Sequence, residues 1–294
     1  NLARKNRTEK LYRSTGIPFS LLREIASSGE GTIWRTEDPS LLAKIYHTPS
    51  IEKAQKLKEM LQNPPLDPTE KRGHKSIVWP QDLLLTAHGE VVGFLMPRIR
   101  KAHTLNNIYN PKRRRKVAAG FNWYYLHTAA LNLAWILNAL HEKSYVVGDL
   151  KPENFLVTNQ SLVSAIDTDS FQFPHGNDVF LCPVGSEGFT PPELIGKDLS
   201  KCQRSELHDR FGLAVLIHFL LFGSHPFSGV WRGKSAPPPV DQLIQEGHWP
   251  HTPKSPLSEG PLSIPLTTVS KPLQEAFRLA FDTGHKDPSQ RPSA

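Results

Sequence analysis

Val146-Val147-Gly148-Asp149-Leu150-Lys151-Pro152-Glu153-Asn154 is the stretch on which the reading of this chain turns. It sets a carboxylate (Asp149), an ammonium (Lys151) and a carboxamide (Asn154) within six residues. Glycine and proline in the run oppose a helix, so these groups stand on a rigid loop. Phosphoryl transfer asks little covalent chemistry of a protein. It needs a group to position the attacking hydroxyl, a cation on the phosphates and oxygen ligands for Mg²⁺. The loop offers one of each. A further carboxylate, Asp167, lies 18 residues beyond Asp149 (167 − 149), in Ala165-Ile166-Asp167-Thr168-Asp169-Ser170-Phe171. A polar turn followed by an acidic loop is the bland alternative, and the flanking sequence decides against it.

Asp149-Leu150-Lys151-Pro152-Glu153-Asn154 resembles the catalytic loop of eukaryotic-type protein kinases, H-R-D-L-K-x-x-N, with Val147 and Gly148 in place of the His and Arg. Asp167 stands where those kinases carry D-F-G. Pro191-Pro192-Glu193 resembles their A-P-E triplet, whose glutamate pairs with a distant arginine, and Arg291 is the matching position. Asp209, in His208-Asp209-Arg210-Phe211-Gly212-Leu213, resembles the aspartate that braces the catalytic-loop backbone. Gly223-Ser224-His225-Pro226-Phe227 matches the exit of the helix that follows. These elements keep the kinase order over residues 21–292. The pattern is most similar to bacterial kinases with Gly-Asp-Leu-Lys-Pro-Glu-Asn and Asp-Thr-Asp-Ser-Phe, including those associated with helix-hairpin-helix modules.

The resemblance implies an α+β fold of two lobes: a small β-rich N-lobe with one main helix, and a larger α-helical C-lobe. The expected division is an N-terminal arm over 1–20, N-lobe and hinge over 21–99, and C-lobe over 100–294, cut short at its end. The first residue is Asn1 and the chain stops at Ala294, which reads as a piece of a longer protein.

Site residues follow from the same resemblance. Lys44, a lone lysine in the apolar strand Leu41–Tyr46, must find a counter-charge or face a cleft. In kinases its counterpart grips the α- and β-phosphates of ATP. The turn Ser28, Gly29 and Gly31 with Ile33 stands in for the glycine-rich loop over the nucleotide, although only the third of the usual glycines is kept. Ala43 is expected against the adenine, Met96 as gatekeeper, Pro97 to Ile99 as the hinge and Leu156 as the floor. Asp149 is the expected catalytic carboxylate and Lys151 its partner on the transferred phosphoryl group; Asn154 and Asp167 are the expected ligands of Mg²⁺ or Mn²⁺. A helix over about Ser50 to Gln62 carries an apolar stripe of Ile51, Ala54, Leu57 and Leu61. The glutamate this helix normally gives to the strand lysine is Glu52 or Glu59 after a rotation, since both point away from the stripe, or another group serves instead. A long apolar helix spans Phe121 to His141, and residues 170–192 form an irregular activation segment. Gly148 has no side chain with which to gather a phosphate on that segment. Packing, or another basic residue such as Lys201 or Arg204, must therefore order it, and regulation is expected from flanking domains or partner proteins.

Composition bounds the alternatives. The chain of 294 residues is 38% hydrophobic and 21% charged, ordinary for a globular protein, and long enough for two lobes. No apolar run approaches the ~20 residues that cross a bilayer, and no signal peptide is visible. Cys182 and Cys202 lack metal-ligand spacing, which favours a reducing, cytoplasmic setting. The net charge of +7 is concentrated in the first 13 residues and in Lys112-Arg113-Arg114-Arg115-Lys116, a pattern of solvated faces. A nucleic-acid-binding module has no motif here. A pseudokinase is the main alternative, since several kinase positions are altered; a small-molecule phosphotransferase of the aminoglycoside type is a lesser one. ATP, Mg²⁺ and an unidentified protein substrate are the expected partners. Eight prolines between Ala236 and Pro265 read as an ordered insertion or partner surface.

Overall fold

The structure, a computed structural model, describes residues 10–294. The chain divides into two units, one of residues 1–100 with Ile166–Asp169, the other of Lys101–Ala165 with Ser170–Ala294. The arm expected over 1–20 lies outside the described residues for 1–9. From residue 11 it is part of the sheet.

The first unit is a seven-stranded antiparallel sheet with one long helix. Its strands are β1 (Leu11–Arg13), β2 (Pro18–Phe19), β3 (Leu21–Ser27), β4 (Gly31–Thr36), β5 (Leu41–Tyr46), β6 (Asp82–Leu85) and β7 (Val91–Pro97), in the order β2-β1-β6-β7-β5-β4-β3. Residues 11–19 escape a reading by periodicity because each of their strands is only two or three residues long. They are held because Leu11 and Phe19 join a core with Trp34, Ala43, Ile45, Leu84, Val92 and Leu95.

Period-two alternation sorts β5 cleanly. Ala43 and Ile45 face that core, whereas Lys44 and Tyr46 face the opposite side. There the helix α1 (Ile51–Gln62) packs, capped by Ser50, whose hydroxyl accepts from the Lys53 N–H at 3.1 Å. Leu57 and Met60 are its buried residues, with Ala54 and Leu61 beside them, in a cluster with Tyr46, Leu83, Val91 and Phe94. The expected stripe is thus rotated: Ile51 is 91% exposed, and Met60 takes its place. Gly31 serves packing here. A Cβ on it would lie 2.4 Å from the Ile45 carbonyl oxygen, so glycine lets β4 close on β5.

The second unit begins with β8 (Ala102–Thr104), two short helices α2 (Leu105–Tyr109) and α3 (Pro111–Val117), and the long helix α4 (Trp123–His141). The basic run forms α3, and its N-cap Asn110 accepts from the N–H groups of Lys112 and Arg113. Helix α4 starts at Asn122, whose side chain caps Tyr125, and buries Leu126, Leu133, Ile136, Leu137 and Leu140. The loop quoted at the outset follows. Strands β9 (Phe155–Thr158) and β10 (Val163–Ala165) then make a three-stranded antiparallel sheet with β8.

The segment expected to be irregular contains a hairpin, β11 (Phe173–His175) with β12 (Asp178–Phe180). Alternation is too brief to show in three-residue strands. Helix α5 (Glu206–Phe222) opens with a capping box between Ser205 and His208 and ends at Gly223, in the left-handed region at φ 69°. It packs beside α4. The proline-rich stretch is ordered: β13 (Val230–Trp231) pairs with β14 (Leu257–Ser258), and α6 (Val240–Gln245) lies between them in sequence. Trp249 from this stretch is buried against Phe281.

Candidate active site

The first unit builds a cationic centre on Lys44. Only 2% exposed, this lysine reaches three carboxylates. Its Nζ lies 2.7 Å from Asp167 Oδ1, 2.8 Å from both Asp169 oxygens and 3.7 Å from Glu30 Oε2. The Tyr46 hydroxyl donates to Asp169 Oδ2 at 2.9 Å. This geometry follows from β5, because residues two apart on a strand share a face. Burial alone would push the Lys44 ammonium down, but the carboxylates of Asp169 and Asp167 reverse this and its pKa is raised. Burial, then the Asp169 charge, pushes the Tyr46 phenol up.

Lys44 therefore does not pair with Glu52 or Glu59. Glu52 is exposed in the first turn of α1, and Glu59 accepts from Gln55 Nε2 at 3.0 Å. The rotation that buries Met60 fixes those positions elsewhere.

Asp167 has φ 60°, a left-handed conformation that costs a residue bearing a Cβ. The neighbouring Thr168 holds it there, its hydroxyl donating to the Val78 carbonyl at 2.8 Å. The Asp167 side chain is 40% exposed, unlike that of Asp169 at 3%.

The other expected residues of this unit fall as follows. Ile33 pairs across the ladder with Lys44, and Met96 with Leu42, so all four share one face of the sheet. Ala43 does not: it is fully buried on the opposite face, within the Trp34 and Leu95 core. The position on the Lys44 face is Leu42, two residues before the lysine, and it replaces Ala43 as the candidate adenine contact. Ser28 turns both its N–H and its hydroxyl to the Gly31 carbonyl, at 2.9 and 3.2 Å, while Gly29 is exposed at the tip. Pro97 pairs with Leu41, the Arg98 N–H donates to Ser40 O at 2.8 Å, and Ile99 is half-buried just before the unit ends.

The second unit builds an anionic centre on Asp149, only 3% exposed. Lys151 Nζ stands 2.6 Å from its Oδ2, and the Ser186 hydroxyl donates to its Oδ1 at 2.7 Å. Asn154 Nδ2 donates to the Asp149 carbonyl at 3.0 Å. Its amide nitrogen being engaged there, Asn154 offers Oδ1 to a cation. Leu156, in β9, pairs with Thr104 and Ser164.

The loop backbone is clamped from α5. Asp209, 1% exposed, accepts from the Val147 N–H at 2.7 Å and the Gly148 N–H at 2.9 Å, and its Oδ2 is 3.0 Å from His141 Nε2. Glu193 and Arg291 form a two-pronged pair at 2.6 and 2.7 Å, with Arg291 also donating to the carbonyls of Gly284 and Leu207.

The donors present suit a hard divalent cation. Asp167 in the first unit carries a half-exposed carboxylate and Asn154 in the second a carboxamide oxygen, each by itself a hard oxygen donor of the kind Mg²⁺ takes alongside phosphate and water.

Residues 70–294 match the family model of the protein kinase domain. The chain belongs to the protein kinase family. Such domains act with ATP and a divalent metal. This kinase domain is 35% identical over 280 residues to protein kinase YegI of Escherichia coli strain K12, and 34% identical over 279 residues to that of strain O157:H7. Each alignment covers 92% of this chain and 42% of the relative, so the kinase domain spans less than half the length of these relatives. Calcium-dependent protein kinase 2 of Arabidopsis thaliana is 32% identical over 101 residues, 33% of this chain and 15% of that one. Among solved structures, the ROP18 kinase domain in complex with AMP-PNP and sucrose superimposes with a TM-score of 0.59 at 15% identity. It covers 97% of this chain and 79% of its own, a likeness of fold.

Sequence reasoning missed three residues of this kinase domain. Ser186 lies in the segment 170–192, outside every motif quoted from the sequence. Tyr46 was open to detection as a polar group two residues from Lys44 on the same strand, whereas Asp169 lies in a short 3-10 turn where no such alternation applies.

Proposed function

We propose that this chain is an active ATP-dependent protein kinase that transfers the γ-phosphoryl group to Ser or Thr hydroxyls of protein substrates. The observation that carries the reading is the hydroxyl of Ser186 on Asp149 Oδ1 at 2.7 Å, with Lys151 Nζ on the other oxygen at 2.6 Å. A buried carboxylate already receiving an aliphatic hydroxyl, beside a cation, has the surroundings that a substrate serine would need.

In the reaction, Asp149 orients the substrate hydroxyl and takes its proton as the oxygen bonds to the γ-phosphorus; the bond to the β-phosphate oxygen breaks and ADP leaves. Lys151 holds the Asp149 carboxylate and offsets charge on the transferring group. Lys44 binds phosphate oxygens, and Asp167 and Asn154 are the residues that would hold the metal. When bound, Mg²⁺ neutralises charge that develops on the phosphates. Ser/Thr selectivity agrees with the names of several relatives, such as a probable serine/threonine-protein kinase of Dictyostelium discoideum, 33% identical over 91 residues. Cys182 and Cys202 are not joined in a disulfide, which suits a cytoplasmic setting. Among the described residues, no helix is long and apolar enough to cross a membrane.

The test is incubation with radiolabelled ATP, a generic protein substrate and Mg²⁺ or Mn²⁺, followed by phosphoamino-acid analysis. Phosphoserine or phosphothreonine formed only with metal is the expected result. Nucleotide binding without transfer to any substrate would instead mark a pseudokinase, and transfer to small-molecule hydroxyls alone would mark a phosphotransferase of another class.

A further inference from the structure

Lys44 carries more than one counter-ion, and the two closest differ in kind. Asp167 is 40% exposed and meets Nζ through one oxygen, at 2.7 Å. Asp169 is buried, places both oxygens 2.8 Å from Nζ and accepts the Tyr46 hydroxyl as well. A divalent cation at Asp167 competes with Lys44 for that exposed carboxylate. It does not compete at Asp169, whose charge is enclosed by the sheet and matched by the lysine. If Asp167 were the only anchor, loading the metal would set the lysine loose. With Asp169 beside it, the ammonium stays in place.

We infer that Asp169 is the positioning residue for Lys44 in the kinase reaction, holding the lysine from the metal-ligand segment itself in place of a glutamate on α1. This inference rests on the reading of Lys44 as the phosphate-binding lysine. Three observations favour it. Glu52 lies exposed and Glu59 is engaged by Gln55, so α1 gives Lys44 no carboxylate. Lys44 and Tyr46 alternate onto one face of β5, so both reach the same aspartate. Asp167 and Asp169 belong to one four-residue segment, Ile166–Asp169, within the same unit as β5. The lysine and the metal ligand are therefore set together by a single loop, and a rotation of α1 does not disconnect them. Removing a charge from an enclosed pair leaves the other uncompensated, which makes the coupling strong.

The experiment measures KM for ATP, kcat and nucleotide affinity by calorimetry for the parent and for Lys44→Met, Asp169→Asn, Tyr46→Phe and the double variant Glu52→Gln/Glu59→Gln. The expected result is a rise in KM for ATP of about tenfold or more for Lys44→Met and for Asp169→Asn. Combining those two changes should add little to either, since both break one interaction. Tyr46→Phe should raise KM by a few-fold, and the double glutamate variant should stay within about twofold of the parent. If Lys44→Met leaves nucleotide affinity and turnover unchanged, the reading of Lys44 itself fails. If Lys44→Met is impaired while Asp169→Asn matches the parent, the inference fails and the kinase reading stands. The glutamate variant leaves every contact of Lys44 in place and keeps the test decisive should Asp169→Asn not fold: a tenfold rise in its KM would return the role to α1 and overturn the inference.

Discussion

The guanidinium of Arg204 occupies the space beside Gly148 that a side chain at that position would enter. A Cβ on Gly148 would lie 2.6 Å from Arg204 Nη1 and 2.9 Å from both Cβ and Sγ of Cys182, and the residue has φ 76°. Arg204 is 4% exposed, and its Nη2 donates to the Val184 carbonyl at 2.5 Å. Its backbone is tied to Gln172 in both directions: its N–H donates to Gln172 Oε1 at 2.8 Å and its carbonyl accepts from Gln172 Nε2 at 2.6 Å. An arginine from outside the catalytic loop thus grips the segment after β12 through a backbone carbonyl.

Activity should therefore survive removal of phosphate from residues 170–190. Treatment with phosphatase, checked by mass spectrometry, is expected to leave the initial rate within about twofold, whereas Gly148→Ala should lose about 1–3 kcal/mol of stability through strain and crowding. A lag that ends as phosphate returns to the segment would contradict this.

Much of the architecture was legible in the sequence, because the catalytic loop, Asp167, Glu193, Asp209 and Arg291 are fixed by short motifs whose spacing the fold must respect. What escaped detection was set by side-chain direction. Ala43 was misassigned although alternation alone places it on the face away from Lys44. The helix stripe was read from Ile51, yet packing turns Met60 inward and Ile51 out. Asp169 was hidden for another reason: a buried carboxylate and an exposed one look the same as letters, and only the fold encloses one of them. Arg204 was within reach of reasoning once Gly148 was seen to lack a side chain, but its choice over Lys201 depends on burial.

Asp167→Ala should abolish the part of nucleotide affinity that depends on metal. Calorimetry with and without Mg²⁺ checks this, and equal ATP affinity of the parent protein in both conditions would be the contrary result.

Two histidines, His218 buried and His225 half-buried, predict acid sensitivity. Burial pushes His218 down to about 3 and His225 down to about 4, so both stay neutral in the fold. His225 donates from Nε2 to the Gly188 carbonyl at 2.7 Å and accepts the Phe227 N–H at Nδ1, 3.0 Å away, an acceptor that protonation would remove. The unfolded chain binds protons below about pH 6.5 that the folded one refuses, so stability is full above that pH and declines beneath it. Each histidine contributes a slope of about 1.4 kcal/mol per pH unit, ending near pH 4 for His225 and pH 3 for His218. Thermal melts between pH 7.5 and 5 should show a falling Tm, with a shallower fall in His218→Asn. A Tm flat over that range would oppose the assignment.

Glu193→Ala should destabilise by about 3–5 kcal/mol, because it leaves the guanidinium of Arg291, fully buried, without its carboxylate. Denaturant unfolding measures this. A loss below about 1 kcal/mol would mean that the carbonyls of Gly284 and Leu207 satisfy the arginine by themselves.

The central claim, that Asp149 receives the substrate hydroxyl, is tested most directly by single-turnover phosphorylation with Asp149→Asn at saturating ATP and Mg²⁺, alongside calorimetric nucleotide affinity. The account predicts affinity within about twofold of the parent and a phosphorylation rate lower by about 10²–10⁴-fold, since a role made in the transition state is removed. Phosphorylation by Asp149→Asn at the parental rate would contradict it.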